Sequence, residues 1–435
     1  LTNRGKSALA GKMHWVPMHN KTVLSNGIRV ISEDIDHVRS ISIGIWVKCG
    51  SRYEDHATNG AAHFIEHMLF KGTKNRSAFE IASAIDSVGG MMNAFTGKEL
   101  TSFYIKIPDY HLPMAVDLLA DIFTNSCFDE KEIMKEQSVV LQEINMTEDS
   151  PDDYIHDYFD GVFWNGHPLG FPILGTKSLV ASLNRKILLS FFDARYGGDN
   201  LVLSAAGNLK HDEFVDLANK TFGSIPAGII KPQTDKPVVS SKVAVLKKDL
   251  EQVHMIMGTL APSAVSPERY SGFLLNAILG GSMSSRLFQE IREKRGLAYA
   301  IHSFVSPYMD AGILGIYAGI SEERVPVVIN LILEELKRLR HELLTEKEMV
   351  QVKELIKGNF LLSMESTDSR MIRLAKNEIS FGRHIPEDDV IAAIDAVTAE
   401  DVRKLAFEIF RADAISLAAM GRISEKDIAL DSYEG

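Results

Sequence analysis

Two histidines and a glutamate, His63, Glu66 and His67, stand in the otherwise apolar stretch GAAHFIEHMLFKGT, Gly60–Thr73. At i and i+4 on a helix, the two imidazoles share one face and can reach a single ion. Glu66 lies on that face as well. A catalytic zinc takes three protein ligands of the His/His/Glu kind and keeps a fourth position open. One ligand must therefore come from elsewhere in the chain. An HxxEH arises by chance in on the order of one in thirty chains of this composition, so the five residues alone are only suggestive.

The second signal is SCFDEKEIMKEQSVVLQEINMTEDSPDD, from Ser126. Asp129 can cap a helix with Glu132 at its third position, and the helix is expected to run to about Glu148, before Pro151. Glu136 and Glu143 then share one face, two turns apart. Glu143 is the candidate third ligand. Glu66, not needed as a ligand, is placed to act as general base, and zinc lowers the pKa of a water it binds to roughly 7. Glu136 either orients a histidine or tunes the site, or, taken alone, lies on a solvated helix face. His111, His156 and His167 have no partner spacing and read as structural.

These groups need a scaffold. The chain has 435 residues, 45% hydrophobic and 24% charged, which suits a soluble protein of two domains of roughly 200 residues each. No apolar run reaches the roughly 18 residues that a membrane helix requires. A net charge of -11 argues against nucleic-acid binding. Cys49 and Cys127 form neither a disulfide framework nor a CxxC pair, which fits a reducing compartment. The basic first residues lack the apolar core of a secretory signal; residues 1–17 read as a leader remnant or an artificial extension.

A Pro-, Ser- and Lys-containing segment, 229–242, reads as a linker between an N-terminal zinc-binding domain, 18–228, and a C-terminal domain, 243–435. Both halves show the order strand, helix, helix, strands, helix. SISIGIWVKCG leads to the His63 helix as VHMIMGTLAP leads to YSGFLLNAILGG, and SRLFQEIREKRG matches the helix FEIASAIDSVGG. The expected fold is α+β: two homologous domains from an internal duplication, each a mixed or antiparallel sheet with helices mainly on one face. Where the first half has HFIEH, the second has GFLLN, Gly272–Asn276, with no metal ligand.

AAHFIEHMLFKGT resembles the inverted HxxEH motif of the pitrilysin family, the inverzincins, and the interval to Glu143 is similar to that family's. The likeness extends from about Thr22 through LSNGIRV, GGMMNAFTGKELTSFY, HPLGFPILG, AAGN and GGSMSSRLFQEIREKRGLAYAIHSF. It is nearest to the bacterial and mitochondrial processing-peptidase branch.

The resemblance implies a metalloendopeptidase holding one Zn2+ per chain on His63, His67 and Glu143, with Glu66 and Glu136 catalytic. It further implies that Arg292 and Tyr299 stabilise the scissile carbonyl as it becomes an oxyanion, acting across a homodimer on the partner's zinc. Asn93, Ala94 and Phe95 in MMNAFT match an edge strand to which peptide substrates add; an interior strand is the competing reading. The short loop GGSMSSRL implies a catalytic subunit. Alternatives are a heterodimer with an inactive relative acting on basic leader peptides, and a noncatalytic core subunit of the same fold. The expected location is the bacterial cytoplasm, with the mitochondrial matrix as the alternative.

Overall fold

The computed structural model describes residues 18–228, 235–239 and 241–428. The expected leader or extension and half of the linker lie outside them. The first half runs β1 (Met18–Val23), β2 (Arg29–Asp34), β3 (Ser40–Val47), α1 (Ala61–Leu69), α2 (Ala78–Asp86), β4 (Met91–Thr96), β5 (Thr101–Pro108), α3 (Leu112–Thr124), α4 (Glu130–Asp149), α5 (Pro151–Phe163), α6 (Lys177–Ser182), α7 (Arg185–Arg195), β6 (Leu201–Gly207) and α8 (His211–Phe222). The second runs β7 (Val243–Lys247), β8 (Val253–Leu260), α9 (Arg269–Leu279), β9 (Ala298–Pro307), β10 (Gly312–Ile320), α10 (Val325–His341), α11 (Glu346–Ser363), α12 (Thr367–Phe381), α13 (Glu387–Ala396), α14 (Ala399–Ile409) and β11 (Ser416–Gly421). Where the sequence suggests a helix over SRLFQEIREKRG, the chain makes one short, wide π turn, Phe288–Glu293.

The duplication is explicit in the sheets. Their orders are β1-β2-β6-β3-β5-β4 and β7-β11-β8-β10-β9. Removing β1 leaves the same order, and the directions agree: β2 is parallel to β6 as β7 is to β11, and the other pairs are antiparallel. Both sheets place a hairpin strand at one edge, β4 and β9.

One face of the first sheet meets its own helices: Ile41, Ile43, Ile45 and Val47 of β3 pack with Phe64, Ile65 and Met68 of α1 and Val116 and Leu119 of α3. Alternation along β3 sends Ser42, Gly44 and Trp46 to the other face. That face is covered from the second half. Met371, Leu374, Ala375 and Ile379 of α12 lie on Trp46, Val202 and Ala206, the Trp46 indole donates to the Met371 sulfur at 3.4 Å, and Ser42 donates to Asp368 at 2.5 Å. The second sheet receives the reciprocal helix. Ile155, Phe159 and Phe163 of α5 pack on Ile256, Ile313, Ala418 and Met420. Each half thus closes the other's sheet.

Polar links fix the halves together. Arg52, only 2% exposed, donates to Glu99 at 2.6 Å and forks both terminal nitrogens onto Asp310 at 2.7 and 2.6 Å. Among the described residues no helix is long and apolar enough to cross a membrane.

Candidate metal centre

In α1, Ala61, Ala62, Phe64, Ile65, Met68 and Leu69 are buried, and the residues that keep solvent contact are His63, Glu66 and His67. The helix therefore turns its whole polar content outward on one side. Its start is held by a residue that the sequence reading did not single out. Glu54, fully buried, accepts from the backbone N–H of Ala62 at 2.7 Å and of Gly60 at 2.9 Å, and from the Asn59 amide at 2.9 Å. The two backbone N–H groups are donors that a helix N-terminus leaves without intrahelical partners. Burial pushes the Glu54 carboxyl up to about 7 against the pull of these hydrogen bonds. Gly60 has φ 95° and backs onto the Leu174 carbonyl, which a β-carbon would approach to 2.9 Å. Glycine meets both demands.

α4 begins as expected, with Asp129 accepting from the N–H groups of Lys131 and Glu132 at 2.8 and 3.2 Å. Its buried stripe is Ile133, Glu136, Val140 and Ile144, so Glu136 stands among apolar residues while Glu143 flanks the stripe. Glu143 meets both histidines. Its Oε2 lies 3.7 Å from His63 Nε2 and 3.6 Å from His67 Nε2, and one donor atom from each of the three residues falls within 4.8 Å of the others.

Those separations exceed a hydrogen bond. They approach the ~3.4 Å that separates two donors of one tetrahedral zinc at bond lengths of ~2.1 Å. Burial, and secondarily His67, hold the His63 imidazole down to about 3, so it stays neutral with a lone pair to give. The donor set and its spacing fit a zinc ion.

Glu136 Oε2 lies 3.0 Å from His67 Nδ1, the nitrogen turned away from Glu143, and Lys71 Nζ is 2.7 Å from Glu136 Oε1. The chain Lys71–Glu136–His67 orients the imidazole so that Nε2 faces Glu143. Lys71 was legible in principle as i+4 from His67, but it lies past the end of α1, where helical spacing no longer argues. Glu66 accepts from Thr96 Oγ1 at 2.5 Å. Burial raises the Glu66 carboxyl, Thr96 and His67 draw it back, and Glu143 adds to the rise. A carboxylate that readily takes a proton suits a general base. Nothing in the sequence singled out Thr96.

Asn93, Ala94 and Phe95 belong to β4, which among the described residues pairs only with β5 and forms the sheet's edge. The interior-strand reading is thereby removed. The Ala94 N–H is met by Asn93 Oδ1 at 2.8 Å. Phe95 turns its ring toward Trp46, 5.6 Å between centroids, while Ala94 and Met92 face the α1 side. Arg292 and Tyr299 are brought to each other but not to the triad. The Arg292 guanidinium lies 4.9 Å from the Phe288 ring and 6.0 Å from the Tyr299 ring, and Tyr299 is 77% exposed. Among the described residues neither has a hydrogen bond, ion pair or ring contact with His63, Glu66, His67 or Glu143.

The second half has no such centre among its described residues. Counted equally from the helix caps Asp129 and Thr345, Val352 stands where Glu136 does and Asn359 where Glu143 does.

Comparison with known proteins agrees with this asymmetry. Residues 29–177 match the family model "Insulinase (Peptidase family M16)", and residues 182–356 match "Peptidase M16 inactive domain". The chain is 42% identical over 396 residues to the uncharacterized zinc protease YmxG of Bacillus subtilis, covering 91% of this chain and 97% of that protein. It is 37% identical to an uncharacterized zinc protease of Streptomyces coelicolor over 95% of this chain and 92% of that one. The fold is similar to a protease from Helicobacter pylori at TM-score 0.86 and 23% identity, covering 93% of this chain and all of that chain (100%). It is also similar to a peptidase M16 inactive domain from Pseudomonas fluorescens at TM-score 0.88 and 18% identity, covering 93% and 98%.

Proposed function

The chain belongs to peptidase family M16, and on that premise we propose that it is a metalloendopeptidase holding one Zn2+ on His63, His67 and Glu143. The carrying observation is the convergence of those three donors within 4.8 Å beside Glu66. Zinc at this site would supply a Lewis acid that polarises the scissile carbonyl and makes a water nucleophilic near neutral pH.

The chain's residues do the rest. Glu66 takes the proton from the attacking water and hands it to the leaving nitrogen, its basicity set by burial against the Thr96 hydroxyl. Lys71 and Glu136 keep His67 in register. The free edge of β4 accepts an extended peptide as an added strand, which gives affinity with little demand on sequence.

Arg292 and Tyr299 are donors for the carbonyl oxygen as it takes on charge. They lie apart from this chain's own triad, so we assign them to the site of a second copy in a homodimer that encloses the peptide.

A more specialised reading, a processing peptidase for basic leader peptides, is favoured by a cavity of about 670 Å³ beside α4, the helix that carries Glu143. Ile144 and Thr147 of α4, Tyr154, Asp157 and Tyr158 of α5 help line it. Lys177 and Glu148 of the lining pair with each other at 2.7 Å, and Asp157, with no ion pair among the described residues, is left to meet a basic side chain.

The test is cleavage of a mixed pool of peptides before chelation, after it, and after zinc is restored. Activity that vanishes and returns, and that Glu66→Gln abolishes at unchanged zinc content, supports the reading. A zinc-loaded protein with no cleavage refutes the homodimeric peptidase and points to a missing subunit or a noncatalytic role. Preference for basic peptides that weakens with salt would favour leader processing.

A further inference from the structure

The duplicated fold creates a second cavity, of about 490 Å³, where the turn between β4 and β5 meets α9, α11 and α12 of the other half. It shares one pair of equivalent helices with the cavity lined by Asp157, and the rest of its wall differs. Counted from the helix caps, Phe360 of α11 stands where Ile144 of α4 does, and α12 takes the place of α5. The charges are reversed.

The walls of this second cavity are largely aromatic: Tyr53, Phe95, Tyr270, Phe273, Phe360 and Phe381. Lys376 projects among them from α12 and has no ion pair or hydrogen bond among the described residues. More than a third of its surface is exposed, so its ammonium is open to an incoming group. Burial lowers its pKa and no acid acts in opposition.

Two further cations line the cavity without a carboxylate partner among the described residues, Lys48 and Arg269. The Arg269 guanidinium lies over the rings of Tyr270 and Phe381, at 4.3 and 5.1 Å, and donates to the Ser266 carbonyl at 2.8 Å and the Tyr270 hydroxyl at 3.0 Å. The one acid in the lining, Glu99, is already taken by Arg52 at 2.6 Å and by the Met309 N–H at 3.1 Å. Lys98 is paired with Asp160 at 3.1 Å. In a chain of net charge -11 this is a local excess of positive charge inside an aromatic enclosure.

We propose that this cavity binds an amphipathic carboxylate, with an aromatic or aliphatic body among Phe95, Phe273 and Phe360 and its anionic end on Lys376. An ammonium at an aromatic wall with no carboxylate partner is free to pair with an anion, and an organic anion can do so while burying its own apolar surface against the rings. Inorganic anions satisfy only the charge. A peptide's C-terminal residue and a free fatty acid share the required chemistry. Phe95 and Thr96 are neighbours on β4, one lining this cavity and the other donating to Glu66, so an occupant rests against the strand that borders the metal centre.

The test is calorimetric titration of the purified full-length protein with N-acetylphenylalanine, N-acetylphenylalaninamide and decanoate. At least one carboxylate should bind, and the amide should bind about tenfold more weakly or worse, the loss expected for a charge-assisted hydrogen bond. Lys376→Met should weaken carboxylate binding by a similar factor at unchanged zinc content, with Lys376→Arg retaining it. Ser380→Phe, which fills the cavity and leaves its charges in place, should abolish it. Binding of N-acetylphenylalanine alone would identify a peptide terminus as the source, and decanoate alone a fatty acid. Equal binding of acid and amide, indifference to Lys376→Met, or no binding of either carboxylate at about 10 mM would overturn the proposal.

Discussion

The Glu136 carboxylate lies 3.0 Å from Nδ1 of His67, on the opposite side of the imidazole from Glu143, and is itself held by Lys71 at 2.7 Å. A ligand histidine fixed through its far nitrogen has one ring orientation and one tautomer to offer. Glu136→Gln should therefore weaken zinc binding by about 10- to 100-fold in chelator competition. Lys71→Met leaves the buried Glu136 without its cation and should cost about 1–3 kcal/mol in urea unfolding. If Glu136→Gln binds zinc like the parent, Glu136 does not orient His67.

The Thr96 hydroxyl, 2.5 Å from Glu66, opposes the effect of burial on that carboxyl. Removing it in Thr96→Val takes away a hydrogen bond that favours the ionised form, so the Glu66 pKa should rise. A general base must be ionised to act. The acidic limb of the kcat/KM profile should consequently move to higher pH by about half a unit to one unit, with the alkaline limb in place. An unmoved acidic limb would separate Thr96 from the base.

Glu54 joins the start of α1 to a pH-dependent stability. Its carboxyl rises from 4.5 to about 7 on folding, so between those values the folded chain holds a proton that the unfolded chain has lost. The contribution is present below about pH 4.5 and is lost as pH rises through about 7. In zinc-free protein, the stability of the parent relative to Glu54→Gln should fall by about 1–3 kcal/mol across that window, measured by urea unfolding. A constant difference would mean that the hydrogen bonds from Gly60, Ala62 and Asn59 keep Glu54 ionised throughout.

The parts legible in the sequence are those governed by short-range periodicity. His63, Glu66 and His67 follow from the helical repeat, and Glu136 and Glu143 from a longer run of the same repeat between a cap and a proline. The duplication was visible because element order survives when side chains diverge. What escaped notice depends on contacts between distant residues. Trp46 and Met371 are brought together by the exchange of α12, and no local pattern in SISIGIWV tells whether its second face meets solvent or another helix. Thr96 and Lys71 escaped for a related reason: each lies outside the helix whose spacing carried the argument.

The exchange of α5 and α12 makes a statement about folding that can be tested with the halves themselves. Residues 18–228 without α12 would leave Trp46, Val202 and Ile31 facing water, and residues 241–428 without α5 would leave Ile256, Ile313 and Met420 so. Burial of such side chains contributes about 1.5–3 kcal/mol each, more than a domain of marginal stability can forgo several times over. Neither half expressed alone should give a cooperative urea transition, while the two mixed should regain one. In the intact chain Leu374→Ala should cost about 2–5 kcal/mol and Phe159→Ala about 3–5 kcal/mol. Both substitutions should shift one common transition, because each helix contributes to the sheet of the opposite half. Two separate transitions, with Leu374→Ala moving only one, would show that the halves fold independently in spite of the exchange.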